Sequence, residues 1–208
     1  MMVKVKICGI TSAIDALMAA SAGADAIGFN FFKPSPRYVE PDRARAIRLA
    51  LPPFLTTVGL FVDRTEEAVT ETMQQCGLDC VQLHGKESPR MTANLRRRFA
   101  TIKAIRVRGE ENLKELERYE ADAFLLDAFV SGMPGGTGQT FDWELARRAA
   151  SRVRLVLAGG LTPDNVAEAV RAARPFAVDV ASGVESEPGK KSRKLVTDFV
   201  RAAKSVVL

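Results

Sequence analysis

VKVKICGIT, residues 3–11, opens the chain as a β-strand and then halts it. Valine and isoleucine alternate with lysine at a period of two, the spacing at which successive side chains point to opposite faces. Val3, Val5 and Ile7 share one face, and Lys4, Lys6 and Cys8 share the other. Cys8 is the last residue on its face, directly before Gly9. From Ser12 to Ala22 the pattern turns helical, and the same exchange recurs down the chain.

Ala26–Asn30, Leu55–Val62, Asp79–His84, Ile102–Val107, Ala123–Asp127, Arg154–Ala158 and Phe176–Ala181 read as further strands. Between them lie helical segments. Pro41–Leu51 has proline in its first turn, Thr65 caps another, Ser88-Pro89 starts a third, and Glu110–Tyr119 is a fourth. One begins near Asp142, and the next opens with Thr162 as cap and Pro163 in its first turn. Leu195, Val196, Phe199, Val200 and Ala203 give the last helix a 3.6-residue stripe. Eight strand–helix units in a row, with no hairpin signal, force neighbouring strands to be parallel and covered on both faces. The fold expected is α/β, a single (β/α)8 TIM barrel occupying residues 1–208 as one domain. A doubly wound open sheet is the alternative. No G-x-G-x-x-G follows the first strand, which weakens its dinucleotide-binding form.

Composition narrows the function. The 208 residues are 47% hydrophobic, enough for a substantial core, and the net charge is +5 with a pI near 9.3. The basic residues are scattered, Arg96-Arg97-Arg98 being the only tight run, and there are two tyrosines and one tryptophan. That argues for a solvated surface and a small anionic ligand, not a nucleic-acid partner. The apolar run after Lys6 is broken by Asp15, so it reads as strand and helix, and no stretch has the roughly 18 apolar residues of a membrane span. Three cysteines, Cys8, Cys76 and Cys80, lack metal-ligand spacing, and one histidine cannot complete a zinc set. Free thiols suit a reducing cytoplasm. The sequence is compatible with a homodimer and does not specify one.

Barrel geometry picks out the candidates. Active sites form at the C-terminal ends of the strands. With the apolar set of the first strand facing the helices, Cys8 points into that mouth. The same alternation turns Cys80, Gln82 and His84 inward, and Asp127 ends the sixth strand. Three strand exits in the second half carry glycines: GGTG (135–138), AGGL (158–161) and SGVE (182–185), the last able to start a short extra helix. A single glycine only turns the chain. Two such exits at adjacent strands, with a third nearby, suit a phosphate held by backbone N–H groups.

KICGIT, GFNFFKPSPRYV, VQLHG, LLDA, GGTGQTFDW, LAGGLTPDNV and FAVDVASGVESEPGKK resemble, in order, the strand-end motifs of the phosphoribosylanthranilate isomerase family, over essentially the whole chain. The resemblance implies an Amadori rearrangement of N-(5-phosphoribosyl)anthranilate to its 1-deoxyribulose 5-phosphate isomer in tryptophan biosynthesis, without cofactor or metal. It implies Cys8 as general base, Asp127 as general acid and Arg37 of SPRYV as the group that holds the anthranilate carboxylate. A guanidinium fork suits that task. The phosphate would lie against Gly136, Gly138, Gly159, Gly160, Ser182 and Gly183. An apolar setting such as FLLDAF would help keep Asp127 protonated, and a nearby positive charge would help ionise Cys8. His84 is expected to line the pocket without acid or base duty. Phe29 and Phe31 are expected in the core.

Lys6 shares the inward face with Cys8, and a buried lysine needs a partner. Strand eight closes against strand one, so a Lys6–Asp179 pair is expected beneath the site. It would serve equally to tune Cys8 or as a purely structural bridge. The chain departs from the family pattern at Ile14, at Ala181 in VASG and at Ser192 after GKK. Two other functions fit in part. A related barrel isomerase of histidine biosynthesis would want a second glycine cradle in the first half, where PSPRYV better suits a carboxylate. A non-catalytic sugar-phosphate-binding barrel would have no need of Cys8 and Asp127 together.

Overall fold

The computed structural model describes residues 2–106, 111–127 and 143–207. Its eight parallel strands close into a barrel in the order β1 to β8. They are β1 (Lys4–Cys8), β2 (Ala26–Asn30), β3 (Thr56–Phe61), β4 (Cys80–Leu83), β5 (Ala100–Arg106), β6 (Ala123–Asp127), β7 (Leu155–Ala158) and β8 (Ala177–Val180). The intervening helices are α1 (Ala13–Ser21), α2 (Pro41–Leu49), α3 (Glu66–Cys76), α4 (Pro89–Arg96), α5 (Glu111–Leu116), α6 (Trp143–Ala150) and α7 (Val166–Ala173), with α8 (Arg193–Lys204) after β8. The ring closes where β1 pairs with β8, Lys6 opposite Asp179.

The alternation of β1 decides which residues meet. Val5 and Ile7 are fully buried in the layer between strands and helices, with Val81 and Leu83 of β4 and the apolar stripe of α8. A second, smaller cluster fills the lumen: Ala104, Ala123, Leu125, Val156, Ala158 and Ala177. Phe29 and Phe31 are buried as expected, and Phe31 stacks on Phe61 at 5.2 Å. Helix starts follow local chemistry: the Ser12, Thr65 and Ser88 side chains accept from the N–H of Asp15, Ala68 and Met91. Among the described residues, no helix is long and apolar enough to cross a membrane.

The structure corrects two expectations. The helix after β7 does not start at Thr162-Pro163. Asn165 folds back, its Oδ1 accepting from Thr162 N–H and its Nδ2 donating to the Gly160 carbonyl. That closes a turn ahead of the helix and delays its start to Val166. The expectation of no hairpin also fails. After a short 3-10 turn at Ser182–Val184, where a short extra helix was expected, the chain makes an antiparallel pair, β9 (Glu185–Glu187) and β10 (Lys190–Lys191). Strands of three and two residues, written in polar letters, carry no hydrophobic alternation to announce them.

One ion pair is buried in the outer layer. Lys103 Nζ donates to Glu87 Oε2 at 2.7 Å and to the Gly85 carbonyl at 2.7 Å, with both side chains about 1% exposed. Glu87 in turn accepts from the N–H groups of Asp63 and Gly85. Full satisfaction of donors and acceptors is what allows such a pair to be buried. It ties the loop after β3 to the loop after β4, next to His84.

Candidate active site

The C-terminal mouth of the barrel opens into a cavity of about 470 Å³. Cys8, Arg37, His84, Asp127, Gly159, Gly160, Asp179, Ser182 and Gly183 all line it. Gly136 and Gly138 lie outside the described residues. Lys6 sits one layer deeper than the lining, beneath Cys8.

Cys8 ends β1 because the chain must turn there. Gly9 takes a φ of +76°, and the N–H groups of Gly9 and Ile10 both donate to the Gly28 carbonyl. Cys8 as a whole is 5% exposed. Burial pushes its pKa above the ordinary 9.0; the Lys6 ammonium pulls it back, Asp179 pushes it up again, and Lys191 adds a smaller pull downward. Lys6 Nζ donates to Asp179 Oδ1 at 2.9 Å, both side chains buried. Burial alone would lower the Lys6 pKa, but Asp179 and the Cys8 thiolate together raise it, so Lys6 stays an ammonium. The other two thiols differ. Burial pushes Cys80 to about 12 and Cys76 to about 11.

Gly28 on β2 makes the arrangement fit. A Cβ there would lie 2.8 Å from Cys8 Sγ and 3.2 Å from Lys6 Nζ. Sγ and Nζ fill the space a side chain would take, and they stand about 6 Å or less apart.

On the far wall, His84 Nε2 lies 3.6 Å from Asp127 Oδ2. The Gln82 side-chain amide lies 3.0 Å from His84 Nδ1.

Arg37 rests its stem over Gly9, whose Cβ, if present, would meet Arg37 Cδ at 2.7 Å. Its Nε and one Nη donate to the two oxygens of Glu185 at 2.9 and 2.6 Å. Lys191 Nζ also donates to Glu185, at 2.8 Å, and to the Ala181 carbonyl. Burial would raise the Glu185 pKa, but the bonds from Arg37 and Lys191 hold it below the usual range. Sequence reasoning missed Glu185, Lys191 and Gly28. Only the SGVE and GKK motifs around the first two hinted at the location.

A family model of N-(5'-phosphoribosyl)anthranilate (PRA) isomerase matches residues 5–202. The N-(5'-phosphoribosyl)anthranilate isomerase of Geobacter sp. (strain M21) is 56% identical over 205 residues, covering 99% of this chain and all of that one. The crystal structure of phosphoribosyl anthranilate isomerase from Thermotoga maritima superposes with a TM-score of 0.92 at 44% identity, over 99% of this chain and 100% of the other. A further solved isomerase is 42% identical with a TM-score of 0.89, over 99% of this chain and 100% of the other, and holds reduced 1-(o-carboxyphenylamino)-1-deoxyribulose 5-phosphate. With likeness running through every strand and over nearly the full length, the chain belongs to the N-(5'-phosphoribosyl)anthranilate isomerase family.

Proposed function

We propose that Cys8 is the general base and Asp127 the general acid in the rearrangement of N-(5'-phosphoribosyl)anthranilate to 1-(2-carboxyphenylamino)-1-deoxyribulose 5-phosphate. The observation that carries this is that both groups line one cavity, Cys8 leaving β1 and Asp127 leaving β6. Asp127 protonates the ring oxygen as the amine lone pair opens the sugar to an iminium. The thiolate of Cys8 removes the C2' proton, and those electrons neutralise the iminium to give an enolamine. C1' then gains a proton as the 2'-hydroxyl loses one, leaving the ketone.

Arg37 receives the anthranilate carboxylate, and the backbone at Gly159, Gly160, Ser182 and Gly183 receives the phosphate, with Gly136 and Gly138 assigned to the same task. What supports this division is that Arg37 brings a guanidinium to the cavity from the loop after β2, whereas Gly159, Gly160, Ser182 and Gly183 line it from the exits of β7 and β8. Lys6, held by Asp179, supplies the positive charge that a buried thiolate needs.

The test is steady-state turnover of Cys8→Ser and Asp127→Asn. General acid or base catalysis contributes about 10²–10⁴-fold, so kcat should fall by that much in each. Turnover within tenfold of wild type in both variants would remove the assignment.

A further inference from the structure

We propose that Glu185, backed by Lys191, is a positioning residue that fixes the Arg37 guanidinium for the substrate carboxylate and so sets the preference for a carboxylated aromatic amine. This rests on the reading that Arg37 receives that carboxylate.

The geometry is one of edges. A guanidinium offers paired N–H groups along more than one edge. Glu185 occupies the Nε–Nη edge with two bonds of 2.9 and 2.6 Å. The remaining Nη–Nη edge, which meets no acceptor among the described residues, offers a second pair of parallel N–H groups. A carboxylate can therefore be taken end-on while the other edge is anchored. An arginine that is not held loses side-chain freedom on every binding event, and anchoring removes that cost beforehand.

Charge explains Lys191. Arg37 and Glu185 alone form a neutral pair, a poor attractor for an anion. Lys191 Nζ, fully buried and 2.8 Å from Glu185, makes the trio net cationic. Neither Glu185 nor Lys191 lines the cavity; they act through Arg37 from behind it.

The β9–β10 hairpin delivers both residues, and it is fastened on two sides. Thr11 Oγ1 donates to the Gly189 carbonyl at 2.6 Å, next to the turn that follows Cys8. Lys191 N–H donates to Asp15 Oδ2 at 3.4 Å, and Gly189 packs against the carbonyl of Pro36, the residue before Arg37. Such bracing suits a device whose task is to hold an angle.

The experiment compares kcat/KM for N-(5'-phosphoribosyl)anthranilate and for N-(5'-phosphoribosyl)aniline, which lacks the carboxylate, in wild type, Glu185→Gln and Lys191→Met. Wild type should favour the carboxylated substrate. Both variants should lose about tenfold or more of that preference, through KM for the carboxylated substrate. Glu185→Gln should change the aniline substrate less than threefold, whereas Lys191→Met also removes a cation that favours the Cys8 thiolate and should lower kcat on both substrates alike, a loss that cancels in the preference. Lys191→Met leaves the Arg37–Glu185 pair in place, so it reports even if Glu185→Gln folds poorly. An unchanged preference, or an equal loss on both substrates, overturns the proposal. A wild type without preference would instead sink the assignment of Arg37 on which it stands.

Discussion

Gly28→Ala tests most directly the packing of Cys8, the proposed base. The new methyl would stand 2.8 Å from Cys8 Sγ, 3.1 Å from Lys6 Cε and 3.2 Å from Lys6 Nζ. Non-bonded heavy atoms settle at about 3.5–4.0 Å, so the thiol must retreat by about 1 Å or leave its rotamer. Lys6 must yield too, against its 2.9 Å bond to Asp179. Overpacking of this kind costs about 1–3 kcal/mol, which for a chain of 208 residues is a fall in Tm of roughly 2–12 °C. A displacement of about 1 Å in a reacting group costs about 10²-fold in rate. Calorimetry and steady-state kinetics on one preparation separate the two effects. The variant should stay folded with KM little changed and kcat down about a hundredfold. A Gly28→Ala enzyme with wild-type kcat would show that Cys8 and Lys6 are not locked together by contact at this point.

Removing the ammonium should move the pH profile. Lys6 favours the thiolate, so Lys6→Met raises the Cys8 pKa, and the ascending limb of kcat/KM shifts to higher pH, by about 1–3 units for an opposite charge within about 6 Å. The single variant also strands Asp179, which disfavours the thiolate further. Lys6→Met with Asp179→Asn should therefore shift the limb less and fold better, and a limb that stays put in Lys6→Met would refute the tuning. In the outer layer, Lys103→Met leaves Glu87 buried without its cation and should cost about 3–5 kcal/mol in urea unfolding. Adding Glu87→Gln should recover part of that loss, and a cost below about 1 kcal/mol for the single variant would contradict the role given to the pair.

Much of the fold was legible because its signals are local. A period of two in VKVKIC and a 3.6-residue stripe in the last helix each fix an element without knowledge of the rest. Closure was legible too, since eight such units leave few other topologies, and it brought Lys6 and Asp179 together across 173 residues. The clamp on Arg37 was not. Glu185 lies 148 residues away from it in the chain, on a strand of three residues with no apolar alternation. Gly28 was invisible for another reason: it has no side chain, and its contribution is the room left for two others. Asn165 shows the limit of cap rules, since Thr162 and Pro163 fit a helix start until a side chain further on closes a turn in front of it.

The pairing of β1 with β8 has a consequence for the order in which the site can form. Lys6 and Asp179 are 173 residues apart, and Arg37 and Glu185 are 148 apart. Contacts of such separation carry a large loop-closure cost, so they are slow to form. A chain with β8 still unpaired holds Lys6 without its counter-charge and lacks one wall of the pocket: closing the ring and assembling the cavity are a single event.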